Sequence, residues 1–313
     1  MMKHILRIVA ILLMLSSLLV LIPSGTMVAS AEIIEYDLKD KKGVPLQADG
    51  YDLENLTYED PSISVKIEKG RFMETNYVVA YVKIAGPTQL RSTMSGSYHT
   101  DDTLMGTSMA KSTNAALAIN GDYFSDTQRR NSGYVARMGK EYRNKCNGTY
   151  DVMVLDNLGD MHIIKAPNKE EMVAFKAQLE AEGKSIINGY TFGPGLIIDG
   201  ERRLDLTADM SAGLIKAFAA NRSAQRMCLG QLGPLEYICI CSEGPEDPGS
   251  VGLTLDQFSE LVGSFEGIQN AYNLDGGSSS TMVFNRDKIN SPKNPKRRPL
   301  KDIIYFCSAY QPE

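Results

Sequence analysis

The chain has 313 residues, 43% of them hydrophobic, with 33 basic and 38 acidic side chains and a formal net charge of −5. That length holds one large domain or two small ones, and the acidic balance makes nucleic acid a poor partner. With only three histidines, a His-rich zinc centre or a Ser-His-Asp triad has few residues to draw on.

Lys3, His4 and Arg7 precede an almost wholly apolar run from Ile8 to Ile22, and Ala29-Ser30-Ala31 supplies a small-residue cleavage pattern. Residues 1–31 therefore read as an export signal cut before Glu32, or as a retained N-terminal membrane anchor. The apolar run is about 15 residues, short of the roughly 20 that cross a bilayer comfortably. An exported, extracellular or surface-associated protein follows from either reading. Losing residues 1–31 removes two basic side chains and no acid, so 31 basic against 38 acidic groups leave a net charge of −7.

Residues 32–61 are polar and mixed, a spacer or peripheral segment. From residue 62 to residue 313 there is no internal repeat, low-complexity tract or Pro/Gly-rich linker, which favours one compact domain. Apolar or alternating runs predict strands near Ile63 to Ile67, Tyr77 to Ile84, Ala115 to Ile119, Val152 to Leu155, Met161 to Ile164, Leu196 to Ile198, Leu235 to Cys241, Met282 to Phe284 and Ile303 to Cys307. Helices are fewer. Asn168 caps one from Lys169 to about Glu182, closed by Gly183, with Met172, Phe175 and Leu179 on one face. Thr254 and Gln257 form a capping box ahead of Phe258, Leu261 and Val262. Many strands with two helices give an α+β fold: a mixed, mostly antiparallel sheet with few flanking helices.

The five cysteines are an odd number with no disulfide-scaffold spacing, and Cys239 and Cys241 share one face of a strand as small core residues. His162 follows a turn in a strand-like run and reads as structural; His99 lies in a polar stretch.

Three polar clusters can carry chemistry. The segment Ala118-Ile119-Asn120-Gly121-Asp122-Tyr123-Phe124 leaves an apolar strand; Asn-Gly there is also a common hairpin signal, but Asp122 stands beside an aromatic ring suited to a sugar. The segment Tyr272-Asn273-Leu274-Asp275-Gly276-Gly277-Ser278-Ser279-Ser280-Thr281 runs from a strand into two glycines and four hydroxyls. Its N–H groups can converge on an anion, as a nest for a phosphate oxygen, with Asp275 at its head; the bland reading is a Gly/Ser surface loop. In Gln225-Arg226-Met227-Cys228-Leu229-Gly230-Gln231 a single arginine sits in an apolar run. A charge so placed needs an anionic partner, either a structural carboxylate or a bound phosphate.

In this order the clusters resemble the phosphodiester glycosidase family, whose best-known type is the uncovering enzyme acting on a sugar-phosphate diester. The matching segments are Ala118 to Phe124, Gly133 to Arg143, Phe192 to Gly200, Arg226 to Gln231 and Asn273 to Met282. Ser278 stands where the family usually has a third glycine, and Gln225-Arg226-Met227 stands where it commonly has proline-arginine-threonine.

The resemblance implies an exported hydrolase that cuts a sugar-1-phosphodiester bond in cell-surface or extracellular glycans. It places Asn120, Gly121, Asp122, Arg137, Arg226, Asp275, Gly276, Gly277, Ser279 and Thr281 around the site. Glycoside cleavage generally uses two carboxyl groups, so Asp275 and Asp122 are the expected catalytic pair. Arg226, with Arg137, is expected to hold the phosphate, and the N–H groups around Gly276 and Gly277 to take up negative charge. The partner is a carbohydrate phosphate. No cofactor is expected; a cation such as calcium on Asp275 or Asp122 stays open, although neither shows calcium-loop spacing.

Two other readings compete. Ser108-Met109-Ala110-Lys111 has the Ser-x-x-Lys spacing of penicillin-binding serine hydrolases, without the Ser-Asp-Asn or Lys-Thr-Gly partners. A non-catalytic module for anionic exopolysaccharide or wall polymer would use the same cleft together with Arg286, Lys288, Lys293, Lys296, Arg297, Arg298 and Lys301.

Overall fold

The computed structural model describes residues 32–124, 131–291 and 298–312. The segment expected to direct export, and Lys293, Lys296 and Arg297 of the basic stretch, lie outside the described residues. The fold is α+β and mostly antiparallel.

The largest sheet has nine strands, in spatial order Glu201–Arg202, Gly195–Ile198, Asn270–Leu274, Arg226–Gly233, Glu236–Ser242, Thr75–Ile84, Ile63–Phe72, Thr57–Asp60 and Tyr51–Asp52. The segment read as a spacer or peripheral piece thus supplies two strands at this sheet's edge. Along Glu236–Ser242 every residue after the first is buried, because both faces are covered. Cys239 and Cys241 lie in that core, and all five cysteines are buried and unpaired.

A second sheet has five strands, ordered Met161–Ile164, Val152–Asp156, Ile186–Tyr190, Gly133–Arg137 and Lys140–Lys145. A third, also of five, is ordered Asp287–Lys288, Met282–Phe284, Ala115–Asn120, Asp302–Cys307 and Leu90–Met94. One continuous core joins the three: Val79 and Ile240 of the first, Met153 and Leu155 of the second, Leu117 and Ile119 of the third. Burying such side chains is worth about 1.5–3 kcal/mol each.

The helices cover outer faces. The helix Lys169–Ala181 starts where Asn168 accepts from the Glu171 N–H at 2.9 Å, and it packs Met172 and Leu179 on Val152, Val154 and Ile186. The helix Leu255–Gly263 carries the expected capping box from Thr254 to Gln257. Two short helices, Gly106–Ser112 and Ala212–Ala217, were not anticipated as elements; each is under two turns, too short for an apolar repeat to show.

The third sheet matters most for function. Ala115–Asn120 runs antiparallel between Met282–Phe284 and Asp302–Cys307, with Ile119 opposite Met282 and Asn120 opposite Ile303. At one end of these strands, therefore, Asn120 closes its strand where Asp302 opens its own and Thr281 immediately precedes Met282–Phe284.

Candidate active site

Asn120 organises this edge. Its main-chain N–H donates to Thr281 O at 3.1 Å, and its side-chain Oδ1 accepts from the Thr281 N–H at 3.0 Å. Its Nδ2 donates to Asp275 O at 2.8 Å and to Gly121 O at 3.0 Å. The Asp275 N–H returns to Gly121 O at 3.4 Å. Two loops far apart in sequence are thereby laced together, and the sharp bend from Asp275 to Thr281 bridges the nine-stranded sheet to the third sheet.

The bend needs its two glycines for different reasons. A Cβ on Gly276 would stand 2.7 Å from Gln225 O, and Gly277 has φ +59°, a left-handed conformation that glycine adopts without strain. The Gly277 N–H donates to Gln225 O at 2.9 Å, and Ser279 and Ser280 close a short 3-10 turn on Gly276 O and Gly277 O. Gly276 and Ser278 keep their N–H groups outside this bonding. Ser278 sits inside the turn with ordinary negative φ, so a third glycine is not required there. Asp275, Gly276, Gly277 and Ser278 are half-buried at the surface, whereas Ser279 and Ser280 lie beneath them.

Arg137 and Asp122 meet, but not as expected. Arg137 donates to Asp122 Oδ1 at 2.6 Å and to Asp302 Oδ2 at 2.7 and 2.9 Å. Its remaining donors reach the carbonyls of Ala136 and Gly189, and its face lies 3.9 Å from the centroid of the Tyr190 ring. Asp122 Oδ2 accepts from the Thr191 N–H at 2.8 Å. The three charged residues are no more than 3% exposed. In this structure both Asp122 oxygens accept hydrogen bonds in the interior, and the Arg137 donors are taken up by two carboxylates and two carbonyls.

Electrostatics follow from burial. Burial works against the charge on Arg137, but Asp122 and Asp302 outweigh it and hold its pKa above the ordinary value. Burial pushes Asp302 up to about 6, Arg137 pulling it down and Asp122 pushing it further up. Asp302 escaped the sequence reading. Its only signal was an acid opening the last apolar strand, Asp302–Cys307. Gly121 has a further task here, since a Cβ would collide with the Asp302 carboxylate.

Arg226, expected to hold the phosphate, is bonded to main-chain carbonyls. Its guanidinium donates to Leu253 O at 3.1 Å, Phe218 O at 3.0 Å, Ala219 O at 2.9 Å and Arg222 O at 2.8 Å. Burial lowers its pKa to about 10. The partners are main-chain carbonyls of the 218–222 stretch and of Leu253, none of them a carboxylate. What this segment gives the bend is the carbonyl of Gln225. Met227 points into the core with no exposure, so its lack of a hydroxyl removes nothing from the site.

Among the described residues, Arg298 reaches the bend, its Nη1 donating to Ser279 Oγ at 3.3 Å. Its guanidinium carbon lies 4.4 Å over the Tyr123 ring, the ring expected to face a sugar. Tyr123 has φ +53°, a strained setting for a bulky residue and one often found at functional sites.

The other candidates fall outside this constellation. His162 bonds through Nε2 to Asp156 Oδ2 at 2.9 Å, a structural pairing. Ser108 is exposed on the helix Gly106–Ser112, and among the described residues it makes no side-chain bond to Lys111.

A family model described as phosphodiester glycosidase matches residues 113–307, from just ahead of the Asn120 strand to the end of the Asp302 strand. The chain belongs to the phosphodiester glycosidase family. No curated protein sequence matches it. Among solved structures, the phosphodiester glycosidase fold of this chain is similar to the zebrafish N-acetylglucosamine-1-phosphodiester α-N-acetylglucosaminidase catalytic domain auto-inhibited by its pro-peptide. That likeness has a TM-score of 0.63 at 15% identity, covering 85% of this chain and 87% of that one. A hypothetical protein from Synechocystis gives a TM-score of 0.48 at 16% identity, covering 78% of this chain and 62% of that one.

Proposed function

We propose that this phosphodiester glycosidase is an exported hydrolase that cleaves sugar-1-phosphodiesters in extracellular or cell-surface glycans. The observation that carries the reading is Asp275: a half-buried carboxylate heading a glycine–serine bend, its main chain fixed from Asn120. A carboxylate beside free N–H groups and hydroxyls suits a reaction in which one bond to the anomeric carbon forms as another, to a phosphate oxygen, breaks.

Asp275 takes the proton from the attacking water. The C–O bond to the phosphodiester breaks, and the phosphate departs as an anion. That leaving group is a weak base, so it needs little protonation and much charge stabilisation. The N–H groups of Gly276 and Ser278 and the hydroxyl of Ser278 supply it. Asn120, Thr281, Asp122, Arg137 and Asp302 act from behind by fixing the two loops.

The test is incubation of the purified protein with a panel of sugar-1-phosphodiesters, reading free reducing sugar and released phosphomonoester. Release of both supports the hydrolase. Tight binding across the panel with no release would make the protein a binding module for anionic glycans instead.

A further inference from the structure

We propose that Arg298 is the residue that recognises the phosphate charge, an inference that rests on the function proposed above and adds to it the identity of the anion-binding side chain. Arg137, Arg226 and Arg298 stand near the two loops, and their surroundings differ in kind. Arg137 is enclosed by Asp122 and Asp302. Arg226 is enclosed by four main-chain carbonyls. Arg298 is half-buried and, among the described residues, has no carboxylate partner; it touches the Ser279 hydroxyl and the Tyr123 ring.

Among the described residues, these two contacts leave most of its five N–H donors available. They also fix its position. The flat guanidinium lies over Tyr123, a geometry that favours arginine over lysine, and its Nη1 meets the hydroxyl of a serine that is 1% exposed within the bend. The cation thus spans the loop that carries Asn120 and the loop that carries Asp275. A phosphodiester monoanion brought beside the Asp275 carboxylate needs a positive charge on its other side, and a planar fork of donors matches two phosphate oxygens. Tyr123 is then a support for the arginine rather than a platform for the sugar.

The experiment titrates the purified protein with dimethyl phosphate, and with neutral trimethyl phosphate, following the guanidinium Nε–H signals by NMR. Wild type is expected to bind the anion and to discriminate against the neutral ester. Arg298→Ala is expected to weaken anion binding by about tenfold or more, with Arg298→Lys recovering part of it. Anion binding unchanged in Arg298→Ala, or a wild type that does not distinguish the two esters, overturns the proposal. Turnover separates this inference from the hydrolase reading. If wild type binds dimethyl phosphate through Arg298 yet cleaves no sugar-1-phosphodiester, the arginine assignment stands and the hydrolase falls. If wild type cleaves and Arg298→Ala cleaves with the same KM and kcat, the hydrolase stands and the arginine assignment falls.

Discussion

Asn120 donates from its side chain to the main-chain carbonyl of Asp275 at 2.8 Å across a separation of 155 residues, and this bond fixes the candidate base relative to the strand behind it. Asn120→Ala removes it together with the bonds to Gly121 and Thr281. Each orphaned buried group costs about 1–3 kcal/mol. The expected outcome is a lower Tm and a fall in kcat of about a hundredfold, since small misplacements of catalytic groups cost that much. Normal turnover in a folded Asn120→Ala protein would remove the lacing bond from the account.

The two aspartates once expected to share the chemistry should separate experimentally. Asp275→Asn keeps size and half-exposure, so the fold is expected to persist while hydrolysis disappears. Asp122→Asn strips the interior of one charge opposite Arg137, and breaking such a buried pair typically costs about 3–5 kcal/mol. Its defect should therefore appear first in denaturant unfolding. A stable Asp122→Asn protein that has lost only kcat would return Asp122 to the reaction itself.

For Arg226 the expectation is stability without recognition. Arg226→Ala abandons the four carbonyls of Phe218, Ala219, Arg222 and Leu253, and we expect a loss on the order of 3–5 kcal/mol, as when other buried charged networks are broken. In the folded fraction, affinity for dimethyl phosphate should match wild type. A stable variant with weakened anion binding would contradict this.

Asp302 predicts a pH dependence. Its carboxyl is pushed up by burial to about 6 from an ordinary value of 3.8, so between these limits the folded protein holds a proton that the unfolded chain has released. Its contribution to stability therefore falls as pH rises through that window and is level above it. Denaturation midpoints for wild type and Asp302→Asn, compared from about pH 4 to about pH 7, should diverge across the window and run parallel above it. Curves parallel throughout would show that Asp302 titrates elsewhere.

The sequence by itself determined the most apolar strands and the two helix caps, because those depend on neighbours, and left Leu90–Met94, Gly133–Arg137, Lys140–Lys145 and Ile186–Tyr190 unread. Alternating apolar residues wrote the strands near Ile63, Tyr77 and Leu235, and Asn168 and Thr254 announced their helices through bonds three residues away. It also identified the two loops of the site, since Asn120-Gly121 and Gly276-Gly277 break apolar runs in a recognisable way. What it could not determine was where long charged side chains turn. Arg226 read as ligand-facing because an isolated charge in an apolar run demands a partner, and Asp122 and Arg137 because the family resemblance placed them at the site; the tertiary structure gives Asp122 and Arg137 to each other, with Asp302 and Thr191, and gives Arg226 the carbonyls of Phe218, Ala219, Arg222 and Leu253. Arg298 read as one of several basic residues of a stretch suited to an anionic polymer, and only the folded chain sets it over Tyr123 and against Ser279. A guanidinium can reach partners anywhere in the fold, and burial decides which of them it must take.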